Sequence, residues 1–185
     1  MIKPSRPRGF ILDEKLGSGA FAEVWLAHHE SSQKNVAIKV VTKNSVRQSI
    51  NKRRLENEIM IQSKINHPFI APLYYSTENF LNYYLIMEYV PCGTLLSHIK
   101  SPCFLSNDTA RKYFCQLLLA IYYLHNEMHV VHRDIKAENV LIDENDNIRL
   151  IDFGFSGDLN DDKSDVTLMK RCGSPSMYFS PMSFQ

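Results

Sequence analysis

Cysteine is scarce and scattered. Cys92, Cys103, Cys115 and Cys172 form no CxxC pair and no metal-ligand spacing. That excludes a zinc module and a disulfide framework, and leaves reduced thiols in a cytoplasmic or nuclear protein as the expectation. Glycine is also sparse, at 7 residues, which excludes a fibrous or glycine-rich low-complexity chain. Charge of either sign is missing as a dominant feature. A formal charge of +1 creates no field that would make nucleic acid or an anionic membrane the main partner. Long apolar runs are absent as well. The longest, Leu117–Leu124, is far shorter than the roughly 20 residues of a membrane span. The first residues, MIKPSRPRG, are basic and interrupted by proline with no apolar stretch behind them, which argues against a secretory signal.

What is present is an ordinary globular composition, 44% hydrophobic and 22% charged, in 185 residues. That is enough for one domain, or for two small lobes around one site. No repeat appears. Phe10–Ala27 alternates and is broken by Gly17-Ser18-Gly19, the pattern of a hairpin. Asn35–Val41 is rich in β-branched residues and reads as a strand. Ser49–Ile65 reads as a helix stopped by Asn66-His67-Pro68. Strands are expected at Leu73–Ser76 and Tyr83–Tyr89, and Pro91-Cys92-Gly93 marks a boundary. Beyond it the pattern turns helical. Thr94–Ile99 is a short helix, and Ser106 caps a long one whose apolar positions are Ala110, Phe114, Leu117, Ile121 and Leu124. Val140–Ile142 and Ile148–Ile151 are short strands around the turn Asp143–Asn147. A parallel βαβ dinucleotide fold is disfavoured, because the glycine loop lies between two strands.

Several residues carry chemistry in combination rather than singly. In Leu16-Gly17-Ser18-Gly19-Ala20-Phe21-Ala22-Glu23-Val24 the glycines let backbone N–H groups approach phosphate oxygens. Alone this is most simply a hairpin turn. Val36-Ala37-Ile38-Lys39 on the next strand changes the odds, because a point charge there reaches the phosphates. Glu58, alone an ordinary surface glutamate, can pair with Lys39. His132-Arg133-Asp134-Ile135-Lys136-Ala137-Glu138-Asn139 is the most specific segment. Asp134 can accept the proton of an incoming hydroxyl. Lys136 can offset charge on a phosphoryl group, Asn139 offers a hard oxygen to Mg2+, and His132 has a packing role. Asp152-Phe153-Gly154 then supplies a second metal ligand, Asp152.

In this order and spacing the motifs resemble those of the eukaryotic Ser/Thr protein kinases, from about Phe10 to Pro175. Lys136, two residues after Asp134, follows the Ser/Thr rather than the tyrosine pattern. Lys136-Ala137-Glu138-Asn139 and Cys172-Gly173-Ser174-Pro175 resemble the calmodulin-dependent and AMP-activated-kinase-like group. The resemblance implies an α+β, bilobal fold: an antiparallel β lobe with one helix, then an incomplete, mainly helical lobe. The divisions are an extension 1–9, a first lobe with hinge 10–90, and a partial second lobe 91–185. It implies ATP and Mg2+ as cofactors, protein Ser/Thr hydroxyls as substrates, and regulatory proteins as further partners. Leu16, Gly17, Ser18, Gly19, Ala20, Phe21, Ala22 and Val24 would cover the nucleotide, and Val24, Ala37 and Leu141 would sandwich adenine. Met87 would be the gatekeeper, with Glu88, Tyr89 and Val90 as the hinge.

Departures from the family pattern carry their own expectations. Ala22 replaces the third glycine. Gln62 stands where an apolar residue stacks on Phe153 and His132, and a polar amide there should weaken the assembled state unless it finds partners. Lys170 occupies the usual phosphothreonine position, leaving Thr167 as the nearest hydroxyl. Met182 stands where a glutamate belongs, and the chain ends at Gln185. For the chain as written, that end favours a weakly catalytic nucleotide-binding module or a piece of a longer product, whereas the catalytic set favours an enzyme. Without further helices, one apolar face of the long helix should be uncovered.

Overall fold

The computed structural model describes residues 4–19, 22–46, 49–101 and 105–159. Its first half consists of β1 (Phe10–Ser18), β2 (Ala22–His29), β3 (Asn35–Thr42), α1 (Ser49–Gln62), β4 (Leu73–Glu78) and β5 (Asn82–Glu88). The five strands make one antiparallel sheet in the order β1-β2-β3-β5-β4. The second half holds α2 (Leu95–Lys100), α3 (Asn107–Asn126), β6 (Val130–Val131), a 3-10 turn at Ala137–Asn139, β7 (Val140–Ile142), β8 (Ile148–Leu150) and β9 (Gly157–Asp158).

Alternation along the strands builds two cores from one sheet. Val36, Ile38 and Val40 on β3 join Phe10, Leu12, Trp25, Ala27, Tyr84 and Ile86 on one face. On the other face Val41, Leu73 and Leu85 meet Leu55 of α1. A third core, with Tyr113, Ala120, Leu124, Val140, Ile148, Leu150 and Phe153, belongs mainly to the second half. Ile61 and Ile65, from the end of α1 and just past it, also enter that core, so α1 is packed by both halves. Where the chain crosses, Leu150 N donates to Phe69 O at 2.9 Å, and Ala71 N to Leu150 O at 3.0 Å.

Several bounds differ from the sequence reading. Gly17 and Ser18 continue β1, and the reversal falls beyond them, where Gly19 N donates to Ala22 O at 2.8 Å. Past Gln62 the helix tightens into bonds between residues three apart, Lys64 N to Ile61 O and Ile65 N to Gln62 O. Ser106 caps α3 as expected, accepting from Thr109 N, whereas Thr94, read as the first residue of the short helix, is instead its cap and accepts from Ser97 N. The apolar stripe read for α3 is corrected, because its buried residues are Tyr113, Gln116, Ala120 and Leu124, while Ala110 and Phe114 are exposed. The expected uncovered face is present but lies on Phe114, Leu118, Leu119 and Tyr122. Polar partners draw the buried stripe off the apolar pattern. Tyr113 OH donates to Asp146, Gln116 Nε2 to Asn147 Oδ1 at 2.7 Å, and Gln116 Oε1 accepts from Ile148 N at 3.0 Å. Cys92 and Cys115 are free and exposed. Cys103, Cys172, Thr167 and Lys170 lie outside the described residues.

The segment before β1 is fastened to the outer face of the sheet. Tyr84, fully buried, donates its hydroxyl to Ser5 O at 2.7 Å and accepts from Asn79 Nδ2 at 2.8 Å. Asn82 Nδ2 donates to Ser5 Oγ at 2.8 Å. Tyr84→Phe leaves the Ser5 carbonyl and the amide donors short of a partner, at a cost of about 1–3 kcal/mol. The expected outcome is a lower urea midpoint together with faster tryptic cleavage after Arg8, while unchanged cleavage would show that Ser5 is not held there.

Candidate active site

Because Val36, Ile38 and Val40 turn toward the outer core, Lys39 must face α1. On α1, Leu55, Glu58, Ile61 and Gln62 recur at helical spacing and are all buried. Lys39 Nζ meets Glu58 Oε1 at 2.5 Å and Asp152 Oδ1 at 3.7 Å. Burial pushes the Lys39 pKa down, but the carboxylates of Glu58 and Asp152 outweigh it and hold the ammonium above its usual value. Gly154 allows this crowding, since a Cβ there would lie 3.3 Å from Asp152 Oδ1 and 3.6 Å from Glu58 Oε2.

The catalytic-loop candidates form a second group. Asp134 is 3% exposed. Its Oδ2 accepts from Asn139 Nδ2 at 3.0 Å and pairs with Lys136 Nζ at 2.9 Å. Asn139 Nδ2 also donates to Asp134 O at 2.8 Å, which turns the amide oxygen of Asn139 away from Asp134. Ile151 N donates to Asn139 O at 3.0 Å, joining this loop to the residue before Asp152. Arg133 and Asp152 have φ of 65° and 68°, left-handed conformations that non-glycine residues keep only where their surroundings impose them.

His132 is 1% exposed and sits edge-on to Phe153, ring centroids 4.9 Å apart. Its Nε2–H donates to Ile151 O at 3.0 Å, so Nδ1 is the acceptor, facing Asp134 N at 3.3 Å. Gln62 is 1% exposed. Its Nε2 donates to Ala71 O at 3.2 Å and lies 3.9 Å from Met87 Sδ, while its Oε1 is buried without a partner. The amide therefore meets half of its hydrogen-bonding requirement.

Val24 lies opposite Gly17 on β1 and opposite Lys39 on β3. Ala37 lies opposite Met87 on β5, and Glu88 closes that strand. Leu16 and Ser18 are exposed, Ala22 and Leu141 half-buried, and Val90 buried. Leu141 forms a bridge with Thr94, the cap of α2. Ala20 and Phe21 lie outside the described residues.

One participant had no local signal. Arg149 Nε pairs with Glu88 Oε2 and its Nη2 with Asp143 Oδ2, each at 3.0 Å, and Nη1 donates to Pro68 O. Glu88 and Pro68 are distant in sequence, so only the fold reveals that this strand arginine links the end of β5 to the turn between β7 and β8.

Among the described residues no group of three or more His, Cys, Asp or Glu makes a metal cage. Asn139 and Asp152 instead offer two hard oxygens, a set that suits a cation sharing its shell with water and phosphate.

The family profile of the protein kinase domain matches residues 10–183, and the chain belongs to that family. It is 39% identical over 183 residues to serine/threonine-protein kinase SIK2 of Gallus gallus, covering 99% of this chain and 22% of that protein. It is 40% identical over 177 residues to hormonally up-regulated neu tumor-associated kinase homolog A of Xenopus laevis, with 95% and 25% covered. NUAK family SNF1-like kinase 1 of Homo sapiens is 39% identical over 193 residues, with 97% and 28% covered. The chain thus spans about a quarter of the length of these relatives. They agree with the AMP-activated-kinase-like resemblance of Lys136–Asn139.

Burial holds the His132 pKa below its usual value against the opposing pull of Ile151 O and the nearby carboxylates. The unfolded chain therefore takes up a proton below about pH 6.5 that the folded chain refuses, and stability falls as pH drops through that window. His67, also shifted down by burial, adds to the same slope. Urea midpoints at about pH 7.5 and 5.5 should show the loss, and His132→Phe should make it smaller. An unchanged pH slope in His132→Phe would contradict a neutral, buried His132.

Proposed function

We propose that this chain binds Mg2+–ATP and transfers the γ-phosphoryl group to Ser or Thr hydroxyls of proteins. The observation that carries the reading is the contact of Lys39 with both Glu58 and Asp152, tied to the Asp134–Lys136–Asn139 cluster through the Ile151 N to Asn139 O hydrogen bond. Leu16–Ala22 and Val24 would lie over the nucleotide, and Val24, Ala37 and Leu141 would enclose adenine. Glu88 and Val90 would hydrogen-bond its edge beside Met87. Asn139 and Asp152 would hold Mg2+, which offsets phosphate charge when bound.

In this reading Glu58 aims Lys39 at the α- and β-phosphates. Asp134 orients the substrate hydroxyl and takes its proton as the oxygen–phosphorus bond forms and the bond to ADP breaks. Lys136, held by Asp134, sits where it can offset charge on the moving group. The reading carries a division into an extension 1–9, a first lobe 10–90 and a partial second lobe 91–185. It also carries a reducing compartment, cytoplasm or nucleus, in keeping with the free thiols of Cys92 and Cys115. Among the described residues no helix is long and apolar enough to cross a membrane.

The test is transfer of labelled γ-phosphate to a generic Ser/Thr protein by the purified chain, with Asp134→Asn as the blank. Turnover is expected to fall by a factor of about 100 or more in the variant, with Mg2+–ATP binding retained. Binding of Mg2+–ATP without any Asp134-dependent transfer would replace the reading with a nucleotide-binding, non-catalytic module.

A further inference from the structure

The residues that follow Asp152-Phe153-Gly154 are gripped from two sides. On one side is the loop that carries Asp134. Arg133 Nε donates to Phe155 O at 2.6 Å, and Ser156 Oγ lies 3.4 Å from His132 O. The Arg133 guanidinium lies so close to Gly157 that a Cβ there would overlap it. On the other side is α1. Asn57 Nδ2 donates to Ser156 O at 2.8 Å, and the Arg54 guanidinium stands 5.3 Å from the centre of the Phe155 ring. Ser156 is 2% exposed, so water is a poor substitute for the amide donor.

Asn57 immediately precedes Glu58. Successive helix residues point about 100° apart around the axis, so α1 can reach two partners with neighbouring side chains. Glu58 reaches Lys39 on β3, and Asn57 reaches the backbone just past Asp152. These two contacts fix both the rotation of α1 and its distance from the segment that presents Asp152. Without the second contact, α1 could turn or withdraw and carry Glu58 off Lys39. Arg54, one turn earlier, holds the same segment by its aromatic face.

We propose that Asn57 is a positioning residue for the phosphoryl-transfer site, which sets α1 against the Ser156 carbonyl so that Glu58 and Asp152 meet Lys39 together. The inference rests on the phosphotransfer reading for its kinetic consequence, but its structural content does not. The grip consists of backbone and side-chain contacts already made among the described residues, and it needs no phosphate to form.

Asn57→Asp is the discriminating change, because it keeps the shape and replaces the N–H donor with a carboxylate oxygen facing a carbonyl oxygen. Asn57→Ala removes the donor without adding charge, and Glu56→Gln, on the exposed side of α1, is the control. In the full chain, native-state amide exchange over Leu55–Gln62 should quicken about tenfold in both Asn57 variants, with α3 unchanged. Where the wild type turns over, kcat should fall about tenfold while KM for ATP stays within about threefold. Unchanged α1 exchange in both variants would overturn the proposal. So would faster exchange with kcat intact, or a loss of protection that spreads equally to α3. A wild-type chain without turnover would fail the phosphotransfer reading alone, and the exchange comparison would still decide the role of Asn57.

Discussion

Lys39 and Glu58 face each other across the space between a sheet and a helix, and much of the molecule is arranged around keeping them there. A half-buried ammonium and a buried carboxylate both lose solvation, and only close geometry with further partners offsets that loss. Here the separation is 2.5 Å, with Asp152 as a second carboxylate for the lysine. Neither side chain could arrive by local preference. Lys39 faces α1 because its neighbours Ile38 and Val40 are committed to the opposite core. Glu58 faces β3 because Leu55 and Ile61 share its side of the helix.

The same constraint explains why α1 is tied to both halves. Leu55 packs on the sheet, whereas Ile61 and Ile65 enter the core built by α3, β7 and β8. Beyond the helix, Asn66 N donates to Tyr123 OH at 3.1 Å, and the His67 ring stacks on Tyr123 with centroids 4.9 Å apart. Arg149 then links Pro68, Glu88 and Asp143. The chemistry of the site therefore depends on contacts made well away from it. Gln62, at the end of the same helix, is a weak point, because its side-chain oxygen is buried without a donor.

Much of the fold was legible because strand alternation and caps are local signals. The order of elements and the capping role of Ser106 follow from a few adjacent residues, and the antiparallel first lobe followed from the family resemblance. What escaped was decided by partners far away. The buried face of α3 followed Tyr113 and Gln116, whose acceptors and donors lie in the β7–β8 turn and on β8, rather than the apolar residues Ala110 and Phe114. The short pair β6–β9 joins Val130–Val131 to Gly157–Asp158, and so few residues carry no periodicity to read. At the site, motif spacing identified the charged residues, but neither Asn57 nor Arg149 belongs to a motif. Their hydrogen bonds span 99 and 61 residues of sequence.

In the proposed function Lys39 acts on nucleotide only as the partner of Glu58. A double-mutant cycle on Mg2+–ATP affinity tests it most directly, with Lys39→Met, Glu58→Gln and the pair measured by calorimetry. The account predicts strong non-additivity, with the double variant binding no more weakly than Lys39→Met alone. Losses that simply add would show that the two residues act on the nucleotide independently, and would contradict the account.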